Sequence, residues 1–125
     1  MTLYSYRVLI VDDNEIFAKT LSLLVRAALG KRLLTLSIAS NGKEAVEKAF
    51  NENVFDVVFM DVNMPEMDGV LAAQIINRSL YRQTRIVAVS FQKDMDTVTK
   101  MIKAGAETFL YKDNLTIESI HKIFN

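Results

Sequence analysis

Three stretches of the chain are apolar at almost every position and stop abruptly at a polar side chain: YRVLIVDD from Tyr6, FDVVFMD from Phe55 and RIVAVS from Arg85. Unbroken apolarity over so short a span predicts strands covered on both faces, as in the middle of a parallel sheet. Two more mixed stretches, LLTLSI at Leu33–Ile38 and ETFLYK at Glu107–Lys112, read as edge strands. Between these runs the period changes to that of a helix. Phe17, Leu21, Leu24 and Ala28 form one stripe across residues 14–29, and Gly30 with Lys31 and Arg32 makes a C-terminal stop. Asn41 and Glu44 resemble a capping box ahead of a helix that buries Ala45, Val46, Ala49 and Phe50. Asp68 caps a third helix carrying Val70, Leu71, Ala73, Ile75 and Ile76. Met95, Val98 and Ile102 mark a fourth that ends near Gly105. Ile117, Ile120, Ile123 and Phe124 stripe a fifth behind an Asp113-Asn114 cap.

Strand and helix therefore alternate five times. The expected fold class is α/β, a doubly wound (βα)5 flavodoxin-like domain with a five-stranded parallel sheet in the order 2-1-3-4-5. Its crevice lies beyond the carboxyl ends of strands 1 and 3. At 125 residues the chain, residues 1–125, is expected to form a single domain.

Composition narrows the classes of function. There is no cysteine, so disulfides, thiolate nucleophiles and cysteine metal sites are excluded. Fifteen Lys and Arg balance fifteen Asp and Glu, which gives no basic surface for nucleic acid or anionic lipid. Apolar runs reach only about four residues against the ~20 of a membrane helix, and the N-terminus lacks a signal-peptide layout. A soluble, cytoplasmic protein is the expectation.

The predicted topology gathers chemistry at one edge. Asp12 and Asp13 follow strand 1, Asp61 ends strand 3, Ser90 ends strand 4 and Lys112 closes strand 5. Strands lie about 4.8 Å apart, so Lys112 starts about 10 Å from Asp61 and can span much of that gap. Three crowded carboxylates repel, and a divalent cation relieves them. A set of oxygen ligands without nearby Cys or His favours a hard ion, Mg²⁺ in particular. A carboxylate beside such an ion can act as a nucleophile and become an aspartyl phosphate. Each residue also has a plain structural reading. The acid pair can cap a helix, Asp61 can end a strand, Ser90 can sit in a loop, and Lys112 can be a solvated surface charge. All of these would have to hold together at one sheet edge.

In order and spacing, VLIVDDNE, VVFMDVNMPEMDG, IVAVS and GAETFLYKD resemble the receiver domain of two-component response regulators over essentially the whole chain. That resemblance implies Asp61 as phosphoacceptor, with Asp12, Asp13, Asp61 and the main-chain carbonyl of Asn63 as Mg²⁺ ligands. It implies Ser90 as a switch hydroxyl contacting the phosphate and Lys112 as its cationic partner. Phe109 matches the aromatic switch position but has no hydroxyl. Asn63 and Gln92 match positions that tune dephosphorylation. The donor would be a histidine kinase or a histidine phosphotransfer protein, and the output an effector domain or partner protein, with a homodimer among the family's options.

Two departures stand out. Asp113 replaces the usual proline after the lysine, so a trans bond is expected there, since cis without proline costs about 2.5–4 kcal/mol. Phe91 replaces the commoner alanine after the switch hydroxyl. These features resemble receivers preceding a LuxR-type helix-turn-helix, whereas VDDNEIF and MDVNMPEMDG look equally like hybrid-kinase receivers. Two rival functions follow from the same residues: a magnesium-dependent aspartyl-phosphate phosphatase, which needs an acid where Asn63 stands, and a phosphorylation-independent interaction module. His121 reads as a surface histidine, and the internal methionines as packing residues.

Overall fold

A computed structural model describes residues 4–51, 55–64, 67–78, 84–91 and 94–124. Strand β1 (Tyr6–Val11) leads to α1 (Glu15–Leu29), and β2 (Leu33–Ala39) to α2 (Gly42–Asn51). Then come β3 (Val57–Asp61), α3 (Gly69–Asn77), β4 (Arg85–Ser90), α4 (Met95–Lys103), β5 (Ala106–Tyr111) and α5 (Ile117–Ile123). All strand pairs are parallel, in the order β2-β1-β3-β4-β5. This is the predicted doubly wound flavodoxin-like sheet, with the two mixed stretches at its edges.

The unbroken apolar runs are the inner strands because both faces are covered. On one side Val8, Ile10, Val57, Phe59, Val87 and Val89 pack with Ala18, Leu21 and Val25 of α1 and Ile120 of α5. On the other, Leu9, Val11, Val58, Met60 and Ala88 meet Ala45 of α2, Ala72, Ala73 and Ile76 of α3, and Met101 of α4. Phe59, Leu9, Ile10 and Met60 are essentially inaccessible. Burying each such side chain contributes about 1.5–3 kcal/mol.

Helix faces differ in detail from the sequence reading. The deepest line of α1 is Ala18, Leu21, Ser22, Val25 and Leu29; Phe17, Leu24 and Ala28 flank it. Phe50, expected on the buried side of α2, is exposed, and so are Leu71, Met95, Ile102 and Ile117 among the apolar residues that mark the later helices. In α4 the core position is Met101, because the helix carries apolar residues on more than one face and the sheet accepts only one. Asn41 caps α2 through Oδ1, which accepts from the Glu44 amide at 2.8 Å, but the Glu44 carboxylate reaches back to Ser40 instead of closing the box on Asn41. Helix α5 is capped by Thr116 in a reciprocal pair with Ser119, while Asp113 and Asn114 lie in a 3-10 turn, Lys112–Asn114. The hydroxyls of Thr116 and Ser119 lie next to the helix amides and win the cap. The Asp68 cap of α3 is present, Oδ1 accepting from Leu71 N at 2.9 Å. The Lys112–Asp113 bond is trans, as expected.

Candidate functional site

Strand register brings the predicted residues together. Val11 pairs with Met60, so Asp12 comes to lie beside Asp61. Asp61 pairs with Val89, one short of Ser90, and Ser90 pairs with Tyr111, one short of Lys112. Four polar side chains thus arrive at the carboxyl edge of the sheet, rising by one residue from Asp12 and Asp61 to Ser90 and by one more to Lys112.

Asp12 is held by its own surroundings. Its amide donates to the Ala39 carbonyl at 3.0 Å, and its Oδ1 accepts from the Asn14 amide at 2.9 Å. Its Oδ2 takes the Lys112 ammonium at 2.6 Å, and the same Nζ lies 3.4 Å from Asp61 Oδ1. The three side chains in this arrangement are between 2% and 9% exposed, so the pairing is sheltered from screening water. Asp13 differs, facing solvent at the rim. Asp13, Asn14, Asp61, Asn63, Ser90, Phe91 and Lys112 line an open cleft of about 330 Å³.

One cation does not balance three acids. Burial, followed by the charge on Asp12, pushes the Asp61 carboxyl from 3.8 up to about 7; Lys112 acts in the opposite direction, and Asp13 adds a further push. Asp12, Asp13 and Asp61 each offer one oxygen within 4.8 Å of the others. All three donors are hard oxygens, and the mutual repulsion that adds to burial in raising Asp61 is what a divalent cation would relieve, so the donor set fits such an ion. Ser90 is buried at the far side of Asp61 from the acid pair. Phe109 does not line the cleft: half-buried on β5, it packs against the α2-α3-α4 side of the core, its ring 5.4 Å from that of Tyr111. Gln92 lies outside the described residues.

Some contributors were not legible as such. A Cβ on Gly69 would sit 2.1 Å from the Asp61 carbonyl oxygen, and one on Gly42 would sit 2.1 Å from the Met67 carbonyl oxygen. Both glycines let the segment after Asp61 close tightly, with the Gly69 amide donating to the Val62 carbonyl at 2.7 Å. The signal was available: glycine is a poor helix former, yet it opens both α2 and α3. Phe17, read as core, packs at the edge of the core and also places its ring 4.4 Å from Lys112 Nζ.

Comparison with known proteins agrees with this geometry. The response regulator receiver domain family matches residues 8–125. Chemotaxis protein CheY of Bacillus subtilis is 35% identical over 125 residues, covering 97% of this chain and 99% of that protein. A protein-glutamate methylesterase/protein-glutamine glutaminase 2 of Carboxydothermus hydrogenoformans is 39% identical over 113 residues, 89% of this chain. The chain spans only 30% of that protein's length, and 5% of hybrid signal transduction histidine kinase A of Dictyostelium discoideum. Among solved structures, Vibrio cholerae CheY4 superposes with a TM-score of 0.82 at 28% identity, covering 96% of each chain. CheY in the CheX-CheY-BeF3-Mg²⁺ complex of Borrelia burgdorferi gives 0.82 at 27% identity, over 98% of this chain and 91% of that one. With an acid-lined cleft at the carboxyl edge of a 2-1-3-4-5 sheet and a family match over nearly its full length, this chain belongs to the response regulator receiver domains of two-component signalling.

Proposed function

We propose that residues 1–125 form one receiver that accepts a phosphoryl group on Asp61 from a phosphohistidine of a kinase or phosphotransfer protein. The supporting observation is the position of Asp61, between the acid pair and Ser90 with the Lys112 ammonium 3.4 Å away. An Asp61 oxygen forms the new P–O bond as the donor's P–N bond breaks, and the imidazole nitrogen keeps the electron pair. Lys112 neutralises one transferred oxygen, and the Ser90 hydroxyl donates to another. Asp12, Asp13, Asp61 and the Asn63 carbonyl are the candidate Mg²⁺ ligands. When bound, the ion supplies the positive charge that lets crowded carboxylates face a phosphoryl group. Asn63 puts an amide where an aspartyl-phosphate phosphatase needs an acid, and the absence of that acid favours a lasting modification over turnover.

Phosphorylation changes function only by stabilising one of two arrangements. We assign that change to Ser90 and Phe109, with the surface of α4, β5 and α5 as output toward an effector domain, a partner protein or a second copy. Among the described residues no helix is long and apolar enough to cross a membrane, in keeping with a cytoplasmic role.

The test is intact mass after incubation with Mg²⁺ and a small phosphodonor. Wild type should gain the mass of one phosphoryl group, and Asp61→Asn should gain none. Equal labelling of both proteins defeats the assignment.

A further inference from the structure

The Lys112 ammonium has neighbours that neither ion pairing nor the phosphoryl chemistry requires. The Phe17 ring centroid lies 4.4 Å from Nζ and that of Phe91 5.5 Å, and the two rings meet edge to face with centroids 6.4 Å apart. The Lys112 side chain is 6% exposed even though it closes an edge strand beside an open cleft. Phe91 is 61% exposed, a large apolar surface held toward water rather than turned into the core.

Local structure places both rings. The Phe17 amide donates to the capping Asn14 Oδ1 at 3.0 Å, which fixes the first turn of α1, from which the Phe17 ring lies against Lys112. Phe91 follows Ser90 directly, and because Ser90 pairs with Tyr111 at the strand ends, the first residues beyond the two strands are Phe91 and Lys112. One ring comes from the α1 side and the other from the β4 side, so the cation lies between two aromatic groups and two carboxylates. Aromatic rings attract a cation through their quadrupole, more strongly where water is excluded, and the interaction does not discharge the ammonium as a further carboxylate would.

We propose that Phe17 and Phe91 are positioning residues that hold the Lys112 ammonium by cation–π contact at the mouth of the phosphoacceptor cleft. The rings keep Nζ near Asp12 and Asp61 without adding negative charge to a site already rich in it. They also oppose withdrawal of a flexible four-carbon side chain into solvent. This deepens the assignment of Lys112 in the phosphoryl-transfer reading and rests on that reading for its functional consequence.

The decisive variants separate ring electronics from apolar volume. Phe91→Leu and Phe17→Leu keep bulk and remove the π face, whereas Phe91→Tyr and Phe17→Tyr keep it. Phe91 carries most of the test, because its exposure makes misfolding of the variant a small concern. Two readouts are taken: the rate of phosphoryl gain from a small phosphodonor with Mg²⁺, and the NMR shifts of the Lys112 ε-methylene protons without donor. In wild type these protons should be displaced by the ring currents. Each Leu variant should move them toward ordinary lysine values and slow labelling by about threefold to tenfold, and each Tyr variant should restore both.

Leu variants that leave both the shifts and the rate at wild-type values overturn the proposal. A slower rate with unmoved Lys112 shifts also overturns it, since the rings would then act through packing alone. If wild type gains no phosphoryl group but its Lys112 shifts respond to the Leu variants and recover in the Tyr variants, the clasp stands and the phosphoacceptor reading falls.

Discussion

The two ends of the sheet handle charge in opposite ways. At the amino end the Asp56 carboxylate accepts from the Arg7 amide at 2.7 Å, and the Asp56 amide donates to the Arg7 carbonyl. Nearby, Arg85 Nε pairs with Glu107, and its Nη2 donates to the Ile123 carbonyl. Arg32 similarly donates to the Phe124 carbonyl at 3.0 Å, tying down the final turn. These side chains mostly join the ends of elements. At the carboxyl end Asp12 and Asp61 share the Lys112 ammonium with Asp13 close by, and burial, followed by the charge on Asp12, pushes Asp61 up to about 7. An end that only holds strands together can balance its charges. The carboxyl end is left short of positive charge, as the proposed cation site requires, and the protein bears the electrostatic cost.

The contrast breaks most sharply at Lys112. Lys112→Met keeps much of the apolar stem and leaves Asp12 and Asp61 with no cation. Removing one partner of a buried pair costs about 3–5 kcal/mol, so chemical denaturation at pH 8 in chelator should show a loss in that range. At pH 5.5 the loss should be smaller, because Asp61 then takes up a proton instead of facing Asp12 as a second charge. An equal loss at both pH values would mean that Lys112 matters for packing rather than charge.

A divalent cation should repair the same deficit. Added Mg²⁺ should raise the stability of wild type, by about 2.7 kcal/mol at a free concentration one hundred times its Kd. The gain should shrink in Asp13→Asn, which removes the exposed member of the oxygen triad without opening the core. Thermal melts with and without chelator measure both effects. A full Mg²⁺ response in Asp13→Asn would remove that residue from the ligand set.

Asp61 gives the pH dependence. Its folded value of about 7 lies above the ordinary 3.8, so between those values the folded state holds more protons than the unfolded state. Stability in chelator therefore falls as pH rises from about 4 to about 7, and the loss is complete above that window. Asp61→Asn never carries this charge. Its advantage over wild type should be absent near pH 3.5 and on the order of 1–2 kcal/mol at pH 8, discounted for the solvent reaching the cleft. A variant less stable than wild type at pH 8 would contradict the electrostatic account.

How far the sequence could be read follows from which forces act locally. Val8–Val11 and Val57–Met60 were legible as inner strands because nothing else explains apolarity at both parities. Strand order then located Asp12, Asp61, Ser90 and Lys112 together before any distance was available. The helix faces were less legible. Phe17 and Ala18 are both apolar in a 3.6-residue pattern, and only the packing of α1 on the sheet decides that Ala18 is buried while Phe17 flanks the core with its ring against Lys112. Met95 and Ile102 fit a core stripe as well as Met101 does until the sheet has accepted one face of α4. Asp113-Asn114 and Thr116 are all competent caps, and the choice depends on where β5 ends and its 3-10 turn begins. The role of Gly69 was not legible in the helix pattern, because a close backbone approach leaves no mark on hydrophobic periodicity.

The smallest expected effect is the control at the balanced end. Arg85 and Glu107 are 36% and 42% exposed, so their ion pair is screened, and pairs of this kind contribute about 0.2–1 kcal/mol. Arg85→Met also removes a donor from the Ile123 carbonyl, but that position is only part-buried and water can take the donor's place. The variant should lose about 1 kcal/mol, with the same loss at pH 5.5 and pH 8, because no carboxylate there is crowded by another. Its Mg²⁺ response and its rate of phosphoryl gain should match wild type. A pH-dependent loss, or a changed Mg²⁺ response, would show that the two ends of the sheet are coupled through β4 and that charge balance at one end sets the properties of the other.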